Sequence, residues 1–472
     1  MRTDASTRTP GMGRVPKRWS LGGLLAAALM VAGCAGPGLV RPQPSSGAQP
    51  GSAAPAPLPG SAPGVRTEDV LAGLAVLDRS ALVATILERN PSIEAARQAW
   101  RAALARHPQV TALEDPVLGY GVAPRSFGVS RLDDAHVVDV SQAIPFPGKL
   151  GLRGEVARAE ADAARGDLEA VRLRLATMGS LLFDDHYFVM RALDINARHA
   201  RLLEELQRSA LSRYEAGEAS QQDPLQAETE LARIVQRDLE LRAQQRVVGQ
   251  RLNTLLHRPV DAALPPAPSA LAPPALPFAP QEAEPLADAA LGVRPELEAA
   301  EARVRARAAQ VRVARHEFLP DFTLVANYNA RLPIRENRPF VGVRLNVPLQ
   351  LGRRRAALDE ARAQLARAES ERAAMADEVR LSVHRALEEY QQARAVAALF
   401  DARLLPTARD RVGAARVGFE TGRNGFLELI DAQRELLRIE LDREQAASEV
   451  SRNAAELLAA LGHRPGDTGV RP

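Results

Sequence analysis

Most of the chain places apolar residues at steps of three and four, the period of a helix buried along one stripe. Val171, Leu175, Met178 and Leu182 follow that rule, as do Val379, Val383, Ala386 and Tyr390, and the spacing is that of a coiled-coil seam. Four short stretches break the rhythm and alternate instead: 115–123, 136–146, 321–329 and 339–349. In the last, Val341, Val343, Leu345, Val347 and Leu349 fall on one face, with Gly342, Arg344 and Asn346 on the other. In the third, Phe322, Leu324, Ala326 and Tyr328 oppose Thr323, Val325, Asn327 and Asn329. The second sets Val138, Val140 and Ile144 against Asp139 and Ser141. Each stretch is nine to eleven residues long, which suits a tilted transmembrane β-strand.

A strand with one apolar and one polar face fits two environments. One is a sheet half-buried on soluble helices; the other is a barrel wall with lipid outside and water inside. Polar runs, PRSFGVSRLDD and RLPIRENR, link the two strands of each pair. Pro145, Pro147, Gly148 and Pro348 mark the places where a strand hands over to a helix. Four strands cannot close on themselves, and open edges are not viable in hydrocarbon. If the strands meet lipid, several copies must share one barrel.

The whole unit is repeated. NPSIEAA at 90–96 returns as RPELEAA at 294–300, and VVDVSQAIP at 137–145 as FVGVRLNVP at 340–348. YEAGEASQQDPLQAE at 214–228 returns as FETGRNGFLELIDAQ at 419–433. Each half reads helix, strand, strand, long helix, glycine-marked break, second helix. The long helices, 150–216 and 354–420, would each reach about 100 Å if unbroken. Their partners lie near 220–257 and 427–462. The first repeat spans 67–257 and the second 294–462, joined by a Pro/Ala-rich segment at 258–293 and followed by a tail at 463–472.

Composition sharpens this picture. Aromatic residues make up only 4% of the chain, so the core must come from Ala, Leu and Val on closely packed helices. Of the net charge of +3, residues 1–33 carry five cationic side chains against Asp4, and the remainder is near neutral. The Arg/Glu-rich stretches are solvated helix faces and make no case for nucleic acid. The apolar run LGGLLAAALMVAG at 21–33 is too short to span a bilayer and matches a signal peptide, with Met12 as an alternative start. The single cysteine, Cys34, ends VAGC, which resembles the lipobox of bacterial lipoproteins, although Val31 replaces the usual Leu. Ala35 follows it, not the Asp that retains lipoproteins in the inner membrane. Residues 34–66, rich in Pro, Gly, Ser and Ala, form a tether behind that cysteine.

Taken together, the strands, the repeat and the glycine-marked breaks resemble the TolC-like outer-membrane factor family over roughly residues 80–462. The resemblance implies a mainly α-helical protomer with four β-strands. Three protomers then build a 12-stranded membrane barrel, continued by an α-helical tunnel into the periplasm. It implies a passive duct, not an enzyme, with no cofactor. Its partners are a periplasmic adaptor, an inner-membrane RND-type pump and outer-membrane lipid. The run IPFPGK at 144–149 looks most like the heavy-metal branch. Drug efflux and type I protein secretion are the alternatives within the class, and a periplasmic coiled-coil adaptor or scaffold is the alternative outside it.

In that family the periplasmic tips carry an aromatic residue, a Gly three positions later and an acidic residue six further on. Tyr214, Gly217 and Asp223 fit, as do Phe419, Gly422 and Glu428. The resemblance makes these the adaptor-docking tips and makes Glu428 and Asp431 the carboxylates of the tunnel entrance, each a ring of three. Two departures stand out: Phe419 replaces a gate-bonding Tyr, and Asn424 a gating Arg, with Arg423 one position earlier. No nucleophile elbow, P-loop, HExxH or CxxC pattern is present. DDAH at 133–136, and the pair His186 and Met190, are the weak metal candidates; each reads better as solvated or packed side chains. Beyond the signal only Met178, Met190 and Met375 remain, too few for a soft-metal ladder.

Overall fold

A computed structural model describes residues 74–122, 136–277, 282–332 and 334–465. Cys34, the tether and the Asp133–Asp134–Ala135 part of the outer loop lie outside the described residues.

Four strands form one antiparallel sheet: β1 (Val117–Val122), β2 (His136–Ile144), β3 (Phe322–Asn329) and β4 (Pro339–Leu345), in the order β1-β2-β3-β4. Strands from the two repeats therefore meet at the β2–β3 pairing, with Val140 opposite Ala326 and Ile144 opposite Phe322. β1 and β4 each keep one unpaired edge. The alternation placed all four strands, but β4 ends at Leu345 instead of running to 349. Beyond it the chain tightens: the Leu349 amide donates to the Val347 carbonyl across Pro348, and the Leu351 amide to the Leu349 carbonyl across Gln350, at φ −81° and ψ 67°, successive three-residue turns that strand geometry cannot continue.

Each strand pair is preceded by two helices where the sequence suggested one. In the first repeat these are α1 (Arg79–Arg89) and α2 (Pro91–Thr111), and in the second α5 (Ala283–Val293) and α6 (Pro295–His316). The break falls at the residue before the proline, which is pushed out of the helical region: Asn90 has ψ 122° and Arg294 ψ 120°. Both residues use the bend. Asn90 Nδ2 donates to the Leu255 carbonyl at 2.9 Å, and Arg294 Nη1 donates to the Ala459 carbonyl at 3.0 Å, so each repeat ties its bend to the end of its last helix.

From the sheet, α3 (Lys149–Glu215) runs 67 residues without a break, roughly 100 Å. It turns at Gly217 into α4 (Gln222–Leu255). The second repeat follows with α7 (Leu351–Leu399), a π-helical turn (Phe400–Leu404), α8 (Leu405–Glu420) and α9 (Phe426–Ala460). The long helix of this repeat is thus interrupted, and Pro406, which supplies no N–H to the ladder, stands just past the interruption.

Small residues let the helices approach. A Cβ on Gly166 would sit 2.8 Å from Ala299 of α6, and one on Gly179 would sit 2.6 Å from Ile86 of α1. Two apolar clusters anchor the middle of the molecule. Leu82, Ile86, Leu175, Phe183, Leu252 and Leu256 form the first. Val379, Val383, Leu387, Leu457 and Leu461 lead the second, and Leu252 and Leu256 have Leu457 and Leu461 as repeat counterparts. Met178, read from spacing as part of the seam, is exposed instead; the buried stripe passes through Leu175 and Ala176.

Candidate functional site

The register assigns every strand residue to a face. Leu118, Val140, Ala326 and Val341 form one row, and Tyr120, Val138 and Tyr328 the next. Leu324 and Val343 share a row, as do Phe322 and Leu345. With Gln142 standing beside Leu324 as its polar exception, these side chains make an apolar face that nothing in the chain covers among the described residues: Leu118 is 71% exposed and Val341 80%. The opposite face carries Asp139, Ser141, Thr323, Asn327 and Arg344, interspersed with the buried Val325 and the exposed Phe340, and Gly119 makes room for the Asp139 carboxylate. Aromatic rings sit at both ends of the apolar face. Tyr120 stacks on His136, its hydroxyl 2.6 Å from Nδ1, and Phe322 stacks on Phe146 with ring centroids 6.2 Å apart. An apolar band between aromatic girdles, backed by a polar face, is what a barrel wall in a bilayer requires. Among the described residues, no helix is long and apolar enough to cross a membrane.

The junction below the sheet is built on a buried ammonium. Gly148 stands at the N-cap of α3 with φ 94°, a left-handed conformation that glycine takes without strain. Directly after it Lys149 is only 1% exposed, and its Nζ lies 2.9 Å from Asp321 Oδ1 and 3.3 Å from the Leu319 carbonyl. The Phe146 amide donates to the same Asp321 at 2.7 Å. Asp321 thereby pins the start of α3 to the start of β3. Pro145 follows β2 directly, Pro147 precedes the cap, and Pro348 lies in the connection from β4 to α7.

At the far end the two glycine-marked breaks have one geometry. Gly217 has φ 75° and Gly422 φ 69°. The Glu218 amide donates to the Arg213 carbonyl and the Arg423 amide to the Gly418 carbonyl, both at 2.8 Å, so each helix ends in a Schellman motif. Tyr214 and Glu428 are exposed, Asp223 and Asp431 partly so. The tips lie side by side. The Arg213 guanidinium sits 4.6 Å above the Phe419 ring, which also packs at 5.5 Å against Phe426. Beneath them Ala210, Ala227, Phe426 and Ile430 share one apolar cluster. Asp431 pairs with Arg434 at 2.9 Å, and Arg434 also approaches the buried Glu230 at 3.7 Å. Asn424 fills the space above Gly418 and makes no bond across to the first tip.

Residues 286–463 match the family model for outer membrane efflux proteins. Solved structures extend the match to both repeats. The outer-membrane channel OprN superposes with a TM-score of 0.69 at 22% identity, covering 81% of this chain and 89% of its own. CusC gives 0.70 at 18%, covering 82% and 92%. VceC of Vibrio cholerae gives 0.69 at 18%, covering 82% and 96%. No curated protein sequence matches the chain. The chain has the fold of the TolC-like outer-membrane efflux channels.

Within this fold the structure brings Tyr214, Gly217, Phe419 and Gly422 to one end and Pro145, Pro147 and Gly148 to the other. His186 and Met190, paired on sequence spacing, are not brought together as ligands. His186 is buried with Nε2 3.3 Å from the Pro265 carbonyl, and the Met190 sulfur accepts from Gln245. Sequence reasoning passed over Asp184, two residues before that histidine. Asp184 accepts from both Arg79 nitrogens, at 2.6 and 3.1 Å, and from Ser451 at 2.9 Å, with no exposed surface. Burial pushes its carboxyl above the usual range against the pull of Arg79. Nearby, burial and the Glu444 carboxylate push the Tyr187 hydroxyl up to about 12, so it remains a donor to Glu444 at 2.9 Å.

Proposed function

We propose that the chain is the outer-membrane duct of a tripartite efflux system. Three copies share a 12-stranded barrel and an α-helical tunnel. The tips meet a periplasmic adaptor, and an inner-membrane RND-type pump supplies the energy. One observation carries this reading: a sheet with an uncovered apolar face, a polar face and two unpaired edges. Such a sheet is stable in hydrocarbon only when further copies close it. The test is the native mass of the protein extracted from outer membranes in mild detergent, corrected for bound detergent. A mass near three chains is expected; a stable single chain would remove the barrel from the argument.

Cys34 is the proposed site of acylation. It precedes Leu77, the first buried residue of the described chain, by 43 positions, whose contour of about 3.3–3.6 Å each far exceeds the length of helix between the sheet and the Leu77 cluster. That helix stretch, from Lys149 to Ser180, spans only about 45 Å. A lipid on Cys34 is therefore compatible with a barrel in the same membrane. Heavy-metal cations are the proposed cargo on the strength of the IPFPGK run alone. Drug efflux or type I secretion would use the same duct.

Glu428 and Asp431 are the proposed carboxylates of the entrance. The ring at Asp431 is partly compensated by Arg434, whereas Glu428 is exposed. Glu428→Gln is accordingly expected to lower cation selectivity more than Asp431→Asn, read as a reversal potential across a salt gradient. Equal losses would refute the compensation by Arg434, and no loss in either variant would place these residues away from the constriction.

A further inference from the structure

The polar face of the sheet holds one residue out of character. Phe340 pairs with Asn327, so its side chain shares the face of Asn327, Thr323 and Arg344, yet it is 56% exposed. Among the described residues of the four strands, Tyr120, Phe322 and Tyr328 fall on the apolar face, and Phe340 is the aromatic ring of the polar one. The sheet makes room for it. The ring leans along its own strand, away from the outer turn, and lies over Gly342, where a Cβ would meet it at 2.7 Å. Gly342 stands opposite Val325, which is only 3% exposed although it belongs to the same open face. The ring thus lies against the wall with its free surface turned to water.

A carboxylate stands at the same level. Gly119, Asp139, Asn327 and Phe340 form one row across the four strands. Asp139 and Phe340 are two strand spacings apart, about 10 Å, with the short Asn327 between them. The Asp139 carboxylate lies over Gly119, and no cationic side chain among the described residues pairs with it. Arg344 is the cation of this face on the strands. It stands four residues beyond Phe340 in β4, about 13 Å nearer the helices. Arg338, just before β4, is turned instead to the Leu332 carbonyl at 3.1 Å. An aromatic face and an uncompensated carboxylate are the two groups that hold an organic cation: the ring attracts its charge and covers its apolar surface, and the carboxylate supplies net charge. A small hydrated metal ion keeps its water shell and gains nothing from the ring.

We propose that Phe340 and Asp139 form a contact site for aromatic organic cations inside the barrel, near its outer mouth. Three copies set three such sites at one level of the wall. They delay organic cations on the way out, while small hydrated ions pass. The inference rests on the duct reading above and adds to it a class of molecule that the wall itself recognises.

The test is block of the full-length protein in planar bilayers by tetraphenylphosphonium, with tetramethylammonium as the cation that lacks rings. Wild type is expected to be half-blocked by tetraphenylphosphonium at a concentration roughly tenfold below that for tetramethylammonium. Phe340→Ser should raise the half-blocking concentration of tetraphenylphosphonium roughly fivefold and Asp139→Asn roughly threefold. Phe340→Tyr keeps the ring and should leave it unchanged. Gly342→Ala puts a Cβ where the ring lies and should act in the same direction as Phe340→Ser; it carries the test if that variant fails to assemble. Unchanged block in both Phe340→Ser and Asp139→Asn, or equal block of wild type by the two cations, would overturn the site and leave the duct standing. No conductance from wild type would overturn the duct, and the site with it.

Discussion

Replacing Asp184 with alanine is expected to cost about 3–5 kcal/mol, the penalty of leaving a buried charge without its partner. Arg79 is the charge left behind. It reaches α3 through Asp184 and Ser180 and α9 through Ser451, and it lies 4.6 Å over the Phe183 ring. One guanidinium thus joins α1, α3 and α9 at the level of the first apolar cluster. Arg79→Ala should cost a similar amount. Replacing both residues with apolar side chains of similar volume should recover much of the loss, because no charge is then stranded. Thermal unfolding in detergent would read all three variants. A loss below about 1 kcal/mol for Asp184→Ala would mean that water enters the cluster.

The second large effect is expected on the sheet. Val343 is exposed on the apolar face, in one row with Leu324, while Arg344 beside it points to the polar face. Val343→Arg should cost about 2–4 kcal/mol per protomer if that face meets the bilayer interior. A three-fold barrel meets the charge three times, so assembly in outer membranes should be severely reduced. Arg344→Val, on the wet side, should leave assembly close to wild type. The readout is the fraction of protein running as an assembled species on native gels. Normal assembly of Val343→Arg would show that the apolar face packs on protein, not lipid.

What the sequence disclosed was what repeats locally. Alternation over six or more residues placed four strands because side chains on a pleated strand change face at every step. Glycine three residues after an aromatic marked both tips because a left-handed residue ends a helix at least cost there. The duplication told which segments would play equivalent parts. The offset between the repeats, 203 at Pro145 and Pro348 but 205 at Gly217 and Gly422, told that the second repeat holds two extra residues in between, but not that a π turn would take up one of them beside Pro406.

Other features had no such trace, since each depends on residues far apart in the chain. Arg79 and Asp184 are separated by 105 positions, and Tyr187 and Glu444 by 257. Lys149 could be seen at the end of IPFPGK, but its burial against Asp321 follows only when β2 pairs with β3. His186 drew notice for its chemistry, whereas Asp184, two residues before it, carries the network: both are buried, but packing sets the histidine against the Pro265 carbonyl and the aspartate against Arg79 and Ser451. The sequence by itself determined the four strands, the repeat and the two faces of the sheet, all consequences of periodicity along the chain, although not where the helices break. Tertiary structure alone decided which charges are buried together, because a buried ion pair needs partners from several helices to offset the loss of water, and no local pattern encodes who those partners are.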